Sequence, residues 1–124
     1  MGRVLVVDDE EGLRSLLSNI LTGEGHTVLT AEDGMAGLRL FERERFDLAI
    51  LDVWLPEKGG IDVLEEIKSD GNDVPVIMIS GHGTIDLAVK AVKLGAFDFL
   101  QKPLSIERVV TVVRNALEIR RLRT

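Results

Sequence analysis

The stretch DLAILDVWLP, Asp47–Pro56, contains the pattern that decides the fold. Its central run, Leu48–Leu51, is entirely apolar, as expected of a short parallel strand that is covered on both faces. The run stops on a carboxylate, Asp52, and Pro56 soon prevents any continuation of the strand. A buried strand that ends on an acid raises the question of which other groups lie beside that acid.

Four other short apolar runs have the same character, and helical patterns separate them. The predicted strands are Val4–Val7, Thr27–Thr30, Leu48–Leu51, Val76–Ile79 and Phe97–Leu100. Helix caps such as Asp33 and Ser105, and a terminating Gly95, mark the helices that follow the strands. These five β-then-α units predict one α/β domain: a doubly wound, five-stranded parallel sheet, (βα)5, with the flavodoxin-like strand order 2-1-3-4-5.

Composition agrees with one globular domain of 124 residues, 45% hydrophobic and 29% charged. No apolar run approaches the roughly 20 residues needed to span a bilayer, so we expect no membrane association. There is no cysteine, and a reducing cytoplasm is therefore the simplest compartment. A formal net charge of −6 argues against direct nucleic-acid contact by this domain.

Polar groups follow four of the predicted strands, and in a parallel sheet these strand ends share one edge. Asp8 and Asp9 follow the first strand, Asp52 the third, Ser80 the fourth and Lys102 the fifth. We expect these three acids, one hydroxyl and one amine to lie together. Two like charges 4 Å apart repel by about 4 kcal/mol at an effective dielectric near 20, so a single lysine cannot balance three acids.

The surplus negative charge must be offset in one of two ways. Either a proton is taken up, or a hard divalent cation binds. A cluster of carboxylates without histidine or cysteine ligands favours Mg²⁺. Asp52 would then be the natural nucleophile for a phosphoryl group, since a carboxylate can form an aspartyl phosphate.

Four fragments, VLVVDDE, LDVWLP, ISGHG and FDFLQKP, stand in an order and spacing that resembles the receiver domain of two-component response regulators. The resemblance covers essentially the whole chain. The run ISGHGTIDLAVKAVKLGAFDFLQKP is most similar to receivers of enhancer-binding activators of the nitrogen-regulation type. This resemblance implies a switch in transcription regulation. The domain would catalyse its own phosphotransfer and dephosphorylation and would not be an enzyme acting on other substrates.

The resemblance also implies a role for each residue at the sheet edge. A sensor histidine kinase would phosphorylate Asp52 with the help of bound Mg²⁺. The implied metal ligands are Asp8, Asp9, Asp52 and the backbone carbonyl of Trp54, and the implied phosphoryl contacts are Ser80 and Lys102.

Further positions match the family's switching and tuning residues. Phe99 matches the aromatic that turns inward as Ser80 moves towards the phosphoryl group. Trp54 and His82 match positions that tune hydrolysis, and we expect this bulky pair to shield the acyl phosphate from water. The peptide bond Lys102–Pro103 is implied to be cis, which is tolerable only because proline follows.

The loop after the acceptor departs from the family pattern. Where Met-Asp-Gly is usual, this chain has Lys58, Gly59 and Gly60. Two adjacent glycines predict a looser entry to the third helix. This departure puts in doubt how that helix is coupled to the site.

The fourth and fifth helices carry more apolar residues than one buried stripe needs. The fourth, Ile85–Leu94, is either deeply buried or leaves a face for a partner. On the fifth, one seam can cover the sheet and a second, with heptad-like spacing, is spare. The two seams are Ile106, Val110, Val113 and Leu117, and Val109, Val112, Ala116 and Ile119. We predict a homodimer through the fourth helix, fifth strand and fifth helix.

The C-terminal end differs from the body in charge, because Arg114–Thr124 contains four arginines and one glutamate. We expect residues 1–120 to form the receiver domain and residues 121–124 to begin a linker. That linker would lead to a C-terminal effector domain absent from this sequence.

Ordinary structural interpretations stand beside these roles. Asp8–Glu11 could merely cap the first helix, His82 could be a plain loop residue, Lys102 a solvated amine, and Phe99 a core aromatic. Three other functions also compete: a phosphatase of the haloacid-dehalogenase type, a flavodoxin-like cofactor carrier, and a docking module that never takes phosphate. The first wants a second acid where Trp54 stands, and the second wants no acids after the first strand.

Overall fold

A computed structural model of the protein describes residues 2–69 and 71–123. Five strands and five helices alternate along the chain: β1 (Arg3–Val7), α1 (Glu11–Gly23), β2 (Thr27–Ala31), α2 (Gly34–Arg43), β3 (Leu48–Asp52), α3 (Gly60–Ser69), β4 (Val76–Ser80), α4 (Ile85–Lys93), β5 (Asp98–Gln101) and α5 (Ile106–Arg123). Each predicted strand boundary lies within one residue of the observed one. The five predicted β-then-α units are therefore confirmed.

All strands are parallel, in the order β2-β1-β3-β4-β5. The predicted flavodoxin-like order is confirmed. The three central strands β1, β3 and β4 are almost wholly buried, because helices cover the sheet on both faces. One core lies between the sheet and α1 with α5, and the other between the sheet and α2, α3 and α4.

Four strands, β2 to β5, end one residue later than the apolar pattern predicts, and two of the added residues belong to the predicted site. Asp52 pairs in register with Ile79, and Ser80 pairs with Gln101, so both polar residues are the last residues of their strands. Backbone hydrogen bonds of the ladder can include a polar residue whose side chain reaches the sheet edge. The Asp52 carboxylate and the Ser80 hydroxyl therefore belong to residues of the sheet itself.

Both predicted helix caps are confirmed, and a third cap, Thr84, was not predicted. Asp33 Oδ1 accepts a hydrogen bond from the Ala36 amide at 2.7 Å, and Ser105 Oγ accepts one from Arg108 at 3.3 Å. Thr84 caps α4 in the same way. The N-cap of α1, Glu10, makes no side-chain cap bond. Capping alone therefore does not explain the acidic run before α1.

α4 is not deeply buried, so that alternative is wrong. Ala91 is its only buried residue, whereas Ile85 is 82% exposed and Val92 is 55% exposed. Val89 lies on the same face and is also exposed. Since residues four and three apart share one side of a helix, α4 presents an apolar stripe to solvent.

The division of α5 into a covering seam and a spare seam is also wrong. The buried residues are Val109, Val112, Val113 and Ala116, which come from both seams. A helix with 3.6 residues per turn buries positions i, i+3, i+4 and i+7, and this stripe cuts across the two predicted rows. The large apolar residues left exposed on α5 are Ile106, Ile119 and Leu122.

The C-terminal end of the described chain continues α5 as far as Arg123. The predicted linker start at residues 121–124 therefore begins within helix, and Thr124 lies outside the described residues. A linker boundary near residue 120 stays a prediction. Within the described ranges, every helix is too short or too polar to pass through a bilayer.

Candidate functional site

The ends of β1, β3 and β5 meet at one edge of the sheet, as predicted. One carboxylate oxygen from each of Asp8, Asp9, Glu10 and Asp52 lies within 4.8 Å of the others. Lys102 follows β5, and its Nζ lies 3.0 Å from Asp52 Oδ2 and 3.1 Å from Asp8 Oδ2. Four acids and one ammonium group therefore share a single site.

Glu10 is a member of this site that the sequence interpretation did not single out. Its Oε1 lies 2.9 Å from Lys102 Nζ. The signal was present, because Glu10 directly follows the two predicted metal ligands. It was missed because a side chain in the turn before a helix can point to solvent equally well, and Glu10 does remain largely exposed.

Burial sets the electrostatics of the two inner acids. Asp8 is fully buried and Asp52 is 4% exposed. Burial raises the pKa of the Asp8 carboxyl; the Glu10 amide and Lys102 oppose the rise, and the charge on Asp52 adds to it. For Lys102, burial alone lowers the pKa, but contacts with Glu10, Asp52 and Asp8 outweigh it and raise the pKa above its ordinary value. Lys102 therefore stays protonated at neutral pH.

The donor set fits a hard divalent cation. Asp8 Oδ2 is buried and receives no well-directed hydrogen bond; its near neighbour is the Lys102 ammonium group. All the clustered ligand atoms are carboxylate oxygens, the type that Mg²⁺ prefers over nitrogen or sulfur ligands. A cation that bound here would satisfy that oxygen and offset the surplus negative charge.

Trp54 contacts Asp52 through its backbone. Its amide donates a hydrogen bond to Asp52 Oδ1 at 3.1 Å. The two oxygens of Asp52 are therefore distinct, since Oδ1 accepts from a backbone amide and Oδ2 contacts an ammonium group. The Trp54 side chain is 58% exposed.

Ser80 lies fully buried at the end of β4, on the same edge of the sheet. Its carbonyl accepts a hydrogen bond from the Lys102 amide at 2.8 Å, which ties the two strand ends together. Its Oγ accepts one from the His82 amide at 3.1 Å. The peptide bond Lys102–Pro103 is cis, as the resemblance implied.

Phe99 packs beneath the loop between β4 and α4. A Cβ added to Gly83 would lie 2.7 Å from Phe99 Cε1 and 3.8 Å from Ser80 Cβ. The ring is partly buried against the core that α2, α3 and α4 cover. Phe99 and Ser80 are thus neighbours across this loop, and their role as a switch pair stays a prediction.

His82 and Trp54 are both exposed. Because both side chains are exposed, their predicted shielding of an acyl phosphate stays a prediction.

The loop after Asp52 is more firmly held than its glycines suggested. The Gly60 amide donates to the Val53 carbonyl at 2.9 Å, closing the loop at the start of α3. Lys58 forms an ion pair with Glu66, which is a residue of α3. Lys58, at the position where the resemblance led us to expect methionine, therefore contacts α3 through an ion pair.

Comparison with known proteins gives a consistent result. The sequence profile of the family described as "Response regulator receiver domain" matches residues 4–114. Over 122 residues the chain is 43% identical to the "Nitrogen assimilation regulatory protein NtrX" of Azorhizobium caulinodans, covering 97% of this chain and 27% of that protein. It is 42% identical over 115 residues to the "Transcriptional regulatory protein GlrR" of Escherichia coli, covering 93% and 26%. The chain thus spans about a quarter of the length of these curated relatives.

Solved structures agree with the sequence matches. The crystal structure of NtrX from Brucella abortus superposes with a TM-score of 0.91 at 41% identity, over 98% of this chain and 28% of that one. The solution structure titled as the beryllofluoride-activated NtrC4 receiver domain dimer gives a TM-score of 0.90 at 43% identity, over 95% and 98%.

Proposed function

The chain belongs to the response regulator receiver domain family, and on that premise we propose that it is a switch set by phosphorylation of Asp52. The observation that carries this proposal is the contact between Lys102 and both buried acids, Asp8 and Asp52. One lysine already contacts several carboxylates. The net charge of the site can therefore change when Asp52 gains or loses a phosphoryl group.

Phosphoryl transfer would proceed from a phosphohistidine of a sensor histidine kinase. A carboxylate oxygen of Asp52 attacks phosphorus, the new oxygen–phosphorus bond forms, and the phosphorus–nitrogen bond breaks. The electron pair of that bond leaves with the imidazole nitrogen, which takes up a proton. The Trp54 amide holds Asp52 Oδ1, so the carboxylate is oriented before the donor arrives.

Asp8, Asp9, Asp52 and the backbone carbonyl of Trp54 would hold Mg²⁺, which when bound neutralises charge on the phosphoryl oxygens. Lys102 would be the cation of the site that changes partner on phosphorylation. In the unphosphorylated protein it contacts three carboxylates, and a phosphoryl group on Asp52 offers it a stronger anionic partner. Ser80 would donate its hydroxyl proton to another phosphoryl oxygen.

Movement of Ser80 would be transmitted through Phe99 to a partner surface, the α4–β5–α5 face. Exposed Ile85, Val89 and Val92 on α4 and exposed Ile106 on α5 support a hydrophobic contact there. The related receiver solved as a beryllofluoride-activated dimer supports a homodimer as the occupant. Phosphorylation would act by shifting a pre-existing equilibrium.

The output is proposed to be control of transcription by a C-terminal effector domain. Its support is the naming of relatives as transcriptional and nitrogen assimilation regulators, which are about four times as long as this chain. A haloacid-dehalogenase-type phosphatase finds no support, because exposed Trp54 stands where the second acid would be needed.

The test is intact-mass measurement after treatment with a small acyl phosphate and Mg²⁺. We expect wild type to gain the mass of one phosphoryl group and Asp52→Asn to gain none. A docking module that never takes phosphate would leave the wild-type mass unchanged, and turnover of an added phosphoester would instead favour a phosphatase.

A further inference from the structure

The first residue of α2 touches the loop that follows the acceptor Asp52. The Gly34 amide donates a hydrogen bond to the Pro56 carbonyl at 3.2 Å. A Cβ added to Gly34 would lie 1.8 Å from the Lys58 carbonyl oxygen and 2.7 Å from its carbon. Both sides of this contact are backbone, so no side-chain rotation could relieve the overlap.

The contacted part of the loop has an unfavourable backbone conformation. Glu57 has φ of 68°, and the Lys58 amide donates to the Pro56 carbonyl at 2.7 Å, which closes a γ-turn. Such a turn is rare and strained for a residue other than glycine, and it persists only where its surroundings fix it. The two carbonyls that flank Glu57 are the two that meet Gly34. The contact with α2 is therefore one of the surroundings that hold this turn, together with the ion pair of Lys58 with Glu66.

The loop passes this constraint to the acceptor. At its beginning, the Trp54 amide donates to Asp52 Oδ1. At its end, Gly60 packs so closely on Asp52 that an added Cβ would lie 1.9 Å from the Asp52 carbonyl oxygen. Because both ends of the loop contact Asp52, a displacement of Lys58 must change the backbone of the few residues between those contacts. Trp54 is among them.

α2 itself is not free to withdraw from the loop. Asp33 caps its start through the Ala36 amide. One turn later, Gly37 packs on β1 so tightly that an added Cβ would lie 2.6 Å from a methyl group of the fully buried Val7. A side chain at residue 34 would therefore displace the loop more readily than the helix.

We propose that Gly34 is a positioning residue for the phosphoacceptor site. By approaching the loop without a side chain, the first turn of α2 sets the position of the Trp54 backbone beside Asp52, and with it the metal-binding geometry. This inference rests on the proposed function, since the Trp54 carbonyl is assigned there as a Mg²⁺ ligand. It assigns a role at the site to a residue that touches neither metal nor phosphoryl group.

The test compares Gly34→Ala with Gly23→Ala as a matched control. An added Cβ at Gly23 would meet nothing within 4 Å. Trp54 is the only tryptophan of the chain, so its fluorescence reports Mg²⁺ binding beside Asp52. We expect Gly34→Ala to weaken Mg²⁺ binding roughly 10- to 100-fold, as loss of residues that support metal ligands commonly does. Gly23→Ala should bind as wild type does. Equal affinity in wild type and a folded Gly34→Ala would overturn the inference.

Two further measurements keep the outcomes distinct. Without Mg²⁺, the backbone amide resonances of Trp54 and Lys58 should shift in Gly34→Ala and not in Gly23→Ala. If wild type binds no Mg²⁺, the proposed function fails, while an unmoved Trp54 resonance overturns the inference by itself.

Should Gly34→Ala not fold, the wild-type Gly34 amide resonance should titrate with Mg²⁺ at the midpoint seen for Trp54. A Gly34 resonance that does not respond would overturn the inference.

Discussion

Lys102 Nζ lies 3.0 Å from Asp52 Oδ2, although fifty residues separate them along the chain. The contact exists because β3 and β5 end at the same edge of a parallel sheet, on either side of β4. Lys102 also contacts Asp8 and Glu10, so its single charge offsets several acids only in part. The site therefore has a surplus of negative charge, which a bound proton or a bound cation would offset.

This imbalance predicts that Asp8→Asn stabilises the metal-free protein. Burial raises the pKa of Asp8 in the folded state, so folding disfavours its ionised form. The neutral Asp8 carboxyl therefore contributes to the free energy of unfolding below the unfolded-state pKa, and this contribution is lost as pH rises through the folded-state pKa. At neutral pH we expect the neutral amide to raise the free energy of unfolding by on the order of 1 kcal/mol.

The measurement is urea unfolding with and without Mg²⁺. Wild type should gain stability from Mg²⁺, and Asp8→Asn should lose most of that gain. An Asp8→Asn protein that is less stable than metal-free wild type would contradict the electrostatic account.

Trp54→Ala should shorten the lifetime of the aspartyl phosphate several-fold. The exposed indole lies two residues beyond Asp52, where it can restrict the approach of water to the acyl phosphate. Decay is followed by phosphate release after the acyl phosphate donor is removed. An unchanged lifetime would show that the indole does not shield the site.

Val92→Asp should weaken homodimerisation of beryllofluoride-treated protein by about tenfold or more, because it buries a charge in an apolar contact. Val92 is 55% exposed on the apolar stripe of α4. Leu16→Asp, an equally drastic change of an exposed residue on α1, serves as the control. Sedimentation of both variants against wild type gives the result. A treated wild type that stays monomeric at high concentration would contradict the dimer.

Stability should fall as pH drops through the titration range of histidine, and His26 should account for the fall. Burial lowers the pKa of His26, and its Nδ1 accepts a hydrogen bond from the Gly2 amide at 3.2 Å. The unfolded chain, with an ordinary pKa of about 6.5, therefore binds the proton more readily. The stability contributed by neutral His26 is present above that value and lost below it.

Urea midpoints at pH 7.5 and 5.5 test this expectation in wild type and His26→Gln. The variant should show a smaller loss of stability on acidification than wild type. His82→Gln, which removes the exposed histidine at the opposite edge of the sheet, controls for the change of residue type. Equal losses in wild type and His26→Gln would exclude His26 as the cause.

The fold could be predicted from the sequence because each strand is a short apolar run and each helix has a stripe or a cap. The site could be predicted because parallel strands gather their ends at one edge, which brought Asp8, Asp52 and Lys102 together. Asp52 and Ser80 proved to be the last residues of their strands, since backbone pairing does not depend on side-chain polarity.

What escaped prediction depends on distances that sequence spacing does not determine. Glu10 could have pointed to solvent, and its contact with Lys102 is settled only by where β5 ends. The two seams of α5 were predicted as separate rows of apolar residues, whereas the sheet buries one stripe that contains residues of both rows. The contact of Gly34 with the Lys58 carbonyl joins the start of α2 to the loop after β3, and this approach leaves no periodic signal in the sequence.

The central claim is that Asp52 receives the phosphoryl group because the strand ends converge there. Borohydride reduces an acyl phosphate to an alcohol, so treatment of the phosphorylated protein should leave homoserine in place of the modified aspartate. Peptide mass mapping should find homoserine at residue 52 in a Mg²⁺-dependent manner. Homoserine at Asp8 or Asp9 instead, or at no position, would contradict the account.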